Sequence, residues 1–137
     1  MEPWEPAARE AIRETLARYA HLVDRGRLDE TATLFTEDAV LEAGDAPGAR
    51  GREAIRALFA GAWTRLAAGG RAARIQHHVS SVTIAFEDAW TAAVESYFLA
   101  ITDRGPDHWG RYRDRLVLHD GRWLFAHRRV RVDGRAP

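Results

Sequence analysis

Residues 74–86, "RIQHHVSSVTIAF", decide how this chain is read. Before them, apolar residues recur at helical spacing. From here on they alternate, as on β-strands. The stretch also opens with two adjacent histidines. Neighbours on a strand point to opposite faces, so one of His77 and His78 faces the interior and the other faces away. With unbroken alternation, His78 shares a face with Val82, Ile84 and Phe86, and His78 is the inward one. A β-bulge near Ser80-Ser81 would reverse the assignment and bring His77 inside.

Four strands follow the change of period, at about 74–87, 89–103, 108–119 and 122–133. Short connections join them, and "HDGRW" (119–123) contains the Asp-Gly pair that favours a type I′ hairpin turn. On the third strand, His108, Gly110, Tyr112, Asp114, Leu116 and Leu118 form the less charged face and are expected inside. Arg111, Arg113 and Arg115 are expected outside. His108 and Trp109 are alternatively rim residues. Upstream, residues 7–24 place Ile12, Leu16, Tyr19 and Val23 on one helical face, with Pro6 ahead of them and Gly26 as the stop. "RLDETATLFTED" (27–38) reads as a second helix with Leu28, Leu34 and Phe35 apolar, and "AVLEA" (39–43) as a short strand. "GDAPGAR" (44–50) reads as a loop. "REAIRALFAGAWTRLA" (52–67) is a third helix, with Trp63 extending its apolar side and "AGGRAA" (68–73) ending it. Helices followed by a long antiparallel meander define an α+β chain.

The composition narrows the function. Twenty basic and 20 acidic residues cancel, and all 20 basic residues are arginine. A general electrostatic nucleic-acid binder needs a basic surface, so nucleic acid is not an expected partner. Cysteine is absent, which removes disulfides and thiolate chemistry. The six histidines show no metal-site spacing, so no metal is expected. No apolar run reaches the ~20 residues of a membrane span. The acidic start, "MEPWEPAARE", has no signal-peptide core, and a cytoplasmic protein is expected. The 137 residues suit a single domain.

Four segments, in this order, carry a resemblance: "YAHLVDRGRLDETATLFTEDAVLE" (19–42), "GREAIRALF" (51–59), "QHHVSSVTI" (76–84) and "GRYRDRLVLHDGRWLFAHRRV" (110–130). Together the chain resembles the SnoaL-like family of the nuclear transport factor 2-like superfamily over about residues 8–132. That superfamily includes scytalone dehydratase, bile-acid 7α-dehydratase, limonene epoxide hydrolase and ketosteroid isomerase. The resemblance implies a cone: a curved antiparallel sheet of cystatin-like type wrapped around N-terminal helices, with a deep apolar pocket. It also implies a homodimer or homotrimer packed through the outer sheet face.

Dehydratase members use a Tyr and an Asp of the first helix and a His at a strand start. Tyr19, Asp24 and the His77-His78 pair occupy those positions, with His78 the preferred histidine. Phe35, Trp63, Tyr112, Asp114 and Arg128 are the further expected pocket residues, and Arg129 competes with Arg128. Such a site performs cofactor-free acid–base chemistry on a small hydrophobic, cyclic or polyketide-like carbonyl compound, as a dehydratase, isomerase or cyclase. A pocket that only binds its ligand, or an epoxide hydrolase, would use the same fold.

Overall fold

The structure is a computed structural model and describes residues 1–70 and 74–137; Arg71, Ala72 and Ala73, the end of "AGGRAA", lie outside them. Its elements are α1 (Glu5–Asp24), α2 (Leu28–Ala32), β1 (Phe35–Ala43), β2 (Ala49–Arg50), α3 (Arg52–Ala68), β3 (Gln76–Asp88), β4 (Thr91–Thr102), β5 (Gly105–His119) and β6 (Arg122–Arg135). The six strands form one curved, unclosed sheet in the order β2-β1-β6-β5-β4-β3, and the helices lie against its concave face. The expected α+β cystatin-like architecture is present, with one difference: β1 joins β6 in parallel, whereas the other neighbours are antiparallel.

The second helix is a single turn and a half, not twelve residues. Phe35 opens a strand: its carbonyl accepts from Arg52 Nε (2.8 Å), and its ring packs at a tilt on Phe125 of β6. Tertiary packing overrides a weak local helical preference there. The segment read as a loop holds the two-residue β2, which caps the sheet edge.

α1 fills the cone. Ile12, Leu16 and Tyr19 sit one above another on a single helix face. They bury against Ile84, Leu116, Phe125 and Phe35. Each such side chain removed from water stabilises the fold by about 1.5–3 kcal/mol. Thr15 Oγ1 also donates to the Trp123 carbonyl at 2.7 Å, which fixes the helix against β6. The helix stops at Gly26 (φ +67), whose Cα lies under the Trp63 indole. An added Cβ would come within 2.6 Å of that ring, so this position accepts glycine alone. Asp120 (φ 50) and Gly121 (φ 76) make the β5–β6 turn left-handed at both central residues, as the Asp-Gly pair predicts.

Four interruptions of register decide what faces the cone's interior. In β3 the pairing with β4 shifts between Ser80 and Thr83, and Ser81 adopts φ 54. In β5 the extra residue is Asp107, between Pro106 and His108. In β6 they are Ala126 and Asp133. An inserted residue flips the side-chain parity beyond it. His77 and Val79 therefore face inward together with Val82, Ile84 and Phe86, while His78 is exposed. The expectation that His78 points inside is overturned by the Ser80-Ser81 bulge. Ala126 likewise lets Arg128 follow Trp123 and Phe125 onto the inner face, and Arg129 faces solvent. On β5, Gly110, Tyr112, Asp114 and Leu116 are buried as expected, but Leu118 is exposed near the turn.

Candidate active site

One end of the cone is filled with hydrocarbon and the other is hollow. A cavity of about 390 Å³ opens between α1, α3 and the concave sheet. Leu58, Phe59 and Leu66 of α3, Val23 of α1, Leu41 of β1, Phe98 of β4, and Val130 and Val132 of β6 make its walls apolar. Tyr19 and Tyr112 form part of the lining, and His77, Asp107 and His108 bring the polar chemistry. Such a cavity, apolar with a few convergent polar groups, is the usual form of a small-molecule site.

The end of α1 meets the start of β3. The Asp24 carboxylate accepts from the His77 backbone N–H, 3.1 Å to each oxygen, and from the ring Nδ1 at 2.6 Å. A carboxylate only accepts, so Nδ1 carries the proton and Nε2 is the chemically available nitrogen. These contacts explain an acid at a helix C-terminus, where the macrodipole disfavours it. A second dyad sits beside the first. His108 Nδ1 lies 2.8 Å from Asp107 Oδ2, made possible by the bulge at Asp107, which lets two consecutive residues turn toward one another. The two imidazoles stand edge to face with centroids 6.0 Å apart, and both border Phe98. Burial pushes His108 below the ordinary histidine value of 6.5. The Asp107 bond opposes that shift, while the nearby His77 and Arg135 reinforce it. His108 is therefore a neutral base at pH 7.

Beneath the dyads lies a different polar cluster. Arg128 is wholly buried and grips Asp114 through two hydrogen bonds, Nε–Oδ1 2.9 Å and Nη2–Oδ2 3.2 Å. Its guanidinium is 3.6 Å from the Tyr112 ring centroid, 4.1 Å from that of Tyr19 and 4.4 Å from that of Phe125. Nη1 has no hydrogen-bond partner among the described residues. Burial raises the Asp114 carboxyl, with Arg128 pulling against it. Burial alone would lower Arg128, but the paired Asp114 carboxylate opposes it and the guanidinium stays charged. Burial also raises both phenols, so Tyr19 and Tyr112 remain hydrogen-bond donors at any physiological pH.

Tyr19, His77 and Tyr112 thus line the cavity, and Asp24 is tied to it through His77. The other expected pocket residues do not line it. His78 is exposed. Phe35 is fully buried in the core beside Tyr19, Phe59 and Phe125. Trp63 lies over Gly26 and does not line the hollow. Asp114 and Arg128 form the sealed pair under the tyrosine rings. Sequence reasoning missed the role of Asp107 and undervalued His108. The signal for His108 was its shared parity with Tyr112; the bulge that recruits Asp107 leaves no mark in the letters. Among the described residues, no group of three or more His, Asp or Glu could hold a metal, and no helix is long and apolar enough to cross a membrane.

Residues 4–129 match the SnoaL-like domain family. A protein proposed to be a scytalone dehydratase, from Novosphingobium aromaticivorans, superposes with a TM-score of 0.84 at 28% identity, over 99% of this chain and 91% of that one. An NTF2-like protein with a cystatin-like fold from the same organism gives 0.79 at 28% identity, over 93% and 84%. A Catenulispora acidiphila protein in complex with S-DNPA gives 0.78 at 27%, over 93% and 95%. Among curated proteins, none matches significantly.

Proposed function

The chain belongs to the SnoaL-like domain family, and from that premise we propose that it is a cofactor-free acid–base enzyme, a lyase or isomerase acting on a small, largely apolar carbonyl compound. The observation that carries this reading is the pair of Asp–His dyads, 6.0 Å apart, at an apolar cavity. The similarity to a protein proposed as a scytalone dehydratase, and to a Catenulispora acidiphila protein in complex with S-DNPA, supports it.

For a dehydration the steps balance without any further reactant. His108, neutral through burial, takes the proton α to the carbonyl with its free Nε2. The electron pair moves toward the carbonyl oxygen, where a tyrosine phenol, Tyr19 or Tyr112, donates a hydrogen bond to the forming enolate. The β C–O bond then breaks. His108 passes the proton it took to the free Nε2 of His77, whose Nδ1–H Asp24 holds, and His77 delivers it to the departing hydroxyl, so that water leaves as the C=C bond forms. An isomerisation uses the same parts but returns the proton to the γ carbon.

The test is a panel of cyclic β-hydroxy ketones and β,γ-unsaturated ketones, read by the absorbance of the conjugated enone both reactions produce. We expect turnover that falls in Asp24→Asn and His77→Ala. Full activity in both variants would refute the dyad assignment. Saturable binding of the panel with no product would make the chain a binding protein of the same fold.

A further inference from the structure

The cavity mouth carries two arginines, set apart from the paired arginines of the sheet's convex face. On the convex face, Arg111 and Arg131 pair with Asp133, Arg113 with Glu95, Arg115 with Glu87 and Arg129 with Glu42. Arg65 of α3 and Arg135 at the end of β6 line the cavity instead, and neither has a carboxylate partner among the described residues. Asp107, the acid in the same lining, is bonded to His108.

Arg135 is where it is for a structural reason. Val130 and Val132 face the cavity, and unbroken alternation would make Gly134 the next inward residue. The extra residue Asp133 shifts the register so that Arg135 stands directly opposite His108, which faces inward. The bulge thus turns a guanidinium toward the hollow, as bulges near sites re-aim side chains. Asp107 is the one acid in that lining among the described residues, so the two guanidiniums outnumber it, and both are exposed and open to an arriving anion.

We propose that the ligand of this cavity is an apolar ring compound bearing a carboxylate, and that Arg135, with Arg65, recognises that carboxylate at the mouth while the ring occupies the hollow. This rests on the cavity being the ligand site but not on any chemistry occurring there. Guanidinium suits the group, since its planar fork matches a carboxylate.

The experiment uses 1-naphthaleneacetate and its neutral analogue 1-naphthaleneacetamide, titrated calorimetrically into the whole protein at neutral pH. The expected result is a preference for the acid of about two- to fivefold at low salt, modest because the mouth is open to solvent. That preference should shrink as salt is added. Arg135→Gln lowers acid affinity toward that of the amide and leaves the amide unchanged, and Arg131→Gln on the convex face keeps the preference. Equal binding of acid and amide to the native protein, or a preference that survives in the Arg65→Gln/Arg135→Gln double variant, overturns the inference and leaves the cavity reading intact. Failure of both compounds to bind overturns both. Preference for the acid in a protein without turnover supports this inference while the enzymatic reading falls.

Discussion

Two acidic residues share the interior of the cone and are used differently. Asp114 is sealed: its side chain and that of Arg128 have no exposed surface, and aromatic rings flank the guanidinium. Asp24 is only half sealed. Its side chain is 17% exposed and that of His77 is 11%, and His77 lines the cavity. Both carboxylates have a positively chargeable partner. The difference is access. A pair closed on all sides can hold strands in place, while a pair with one open ring nitrogen can exchange a proton with something bound. A group's surroundings, not its type, separate structure from chemistry here.

The comparison breaks most decisively at the dyad. Asp24→Asn and His77→Ala are expected to lower kcat by about 10²–10⁴. Their melting temperatures should stay near the native value, and a scan beside the turnover assay checks both. Asp114→Ala should do the reverse. It strands a buried guanidinium and is expected to destabilise the fold by about 3–5 kcal/mol in urea unfolding. Native-like stability in that variant would mean that the sealed pair does not hold the sheet. Gly26→Ala, which drives a Cβ into the Trp63 indole at a left-handed position, should cost about 1–3 kcal/mol by the same measurement.

A pH profile sharpens the picture. In the proposed reaction the neutral form of His108 is the base, and burial lowers its pKa, so activity is expected to be lost only as pH falls through a midpoint below 6.5. Asp107 opposes that lowering, while His77 and Arg135 add to it. Arg135→Gln should therefore move the acid limb upward. The smallest effect is expected of His78→Ala, which touches the convex side and should leave turnover unchanged and stability within about 0.5 kcal/mol.

Much of this was legible in the letters. The change from helical to alternating period at residue 74 separates helices from sheet, and the row Ile12, Leu16, Tyr19 locates the helix that fills the cone. Asp24 stood out because a carboxylate is misplaced against a helix C-terminus. Phe35 and Trp63 were less legible, since an apolar side chain on an inner face serves equally in a packed core and in a pocket wall. The letters do not say where the packing stops. The 27–38 stretch misled because its composition suits a helix, while the parallel partner that makes it a strand lies about 90 residues away.

By itself, the sequence determined the α+β order of elements, the type I′ turn at Asp120-Gly121, and a Tyr, an Asp and one of two histidines as candidates. Only the tertiary structure decided that the inward histidine is His77, that Arg128 and not Arg129 turns inward, and that Asp107 joins His108. The physical reason is common to all three. Side-chain direction on a strand is a parity, and a single inserted residue inverts it. Whether that residue is inserted depends on hydrogen bonds to a neighbouring strand, so no local run of letters contains the answer.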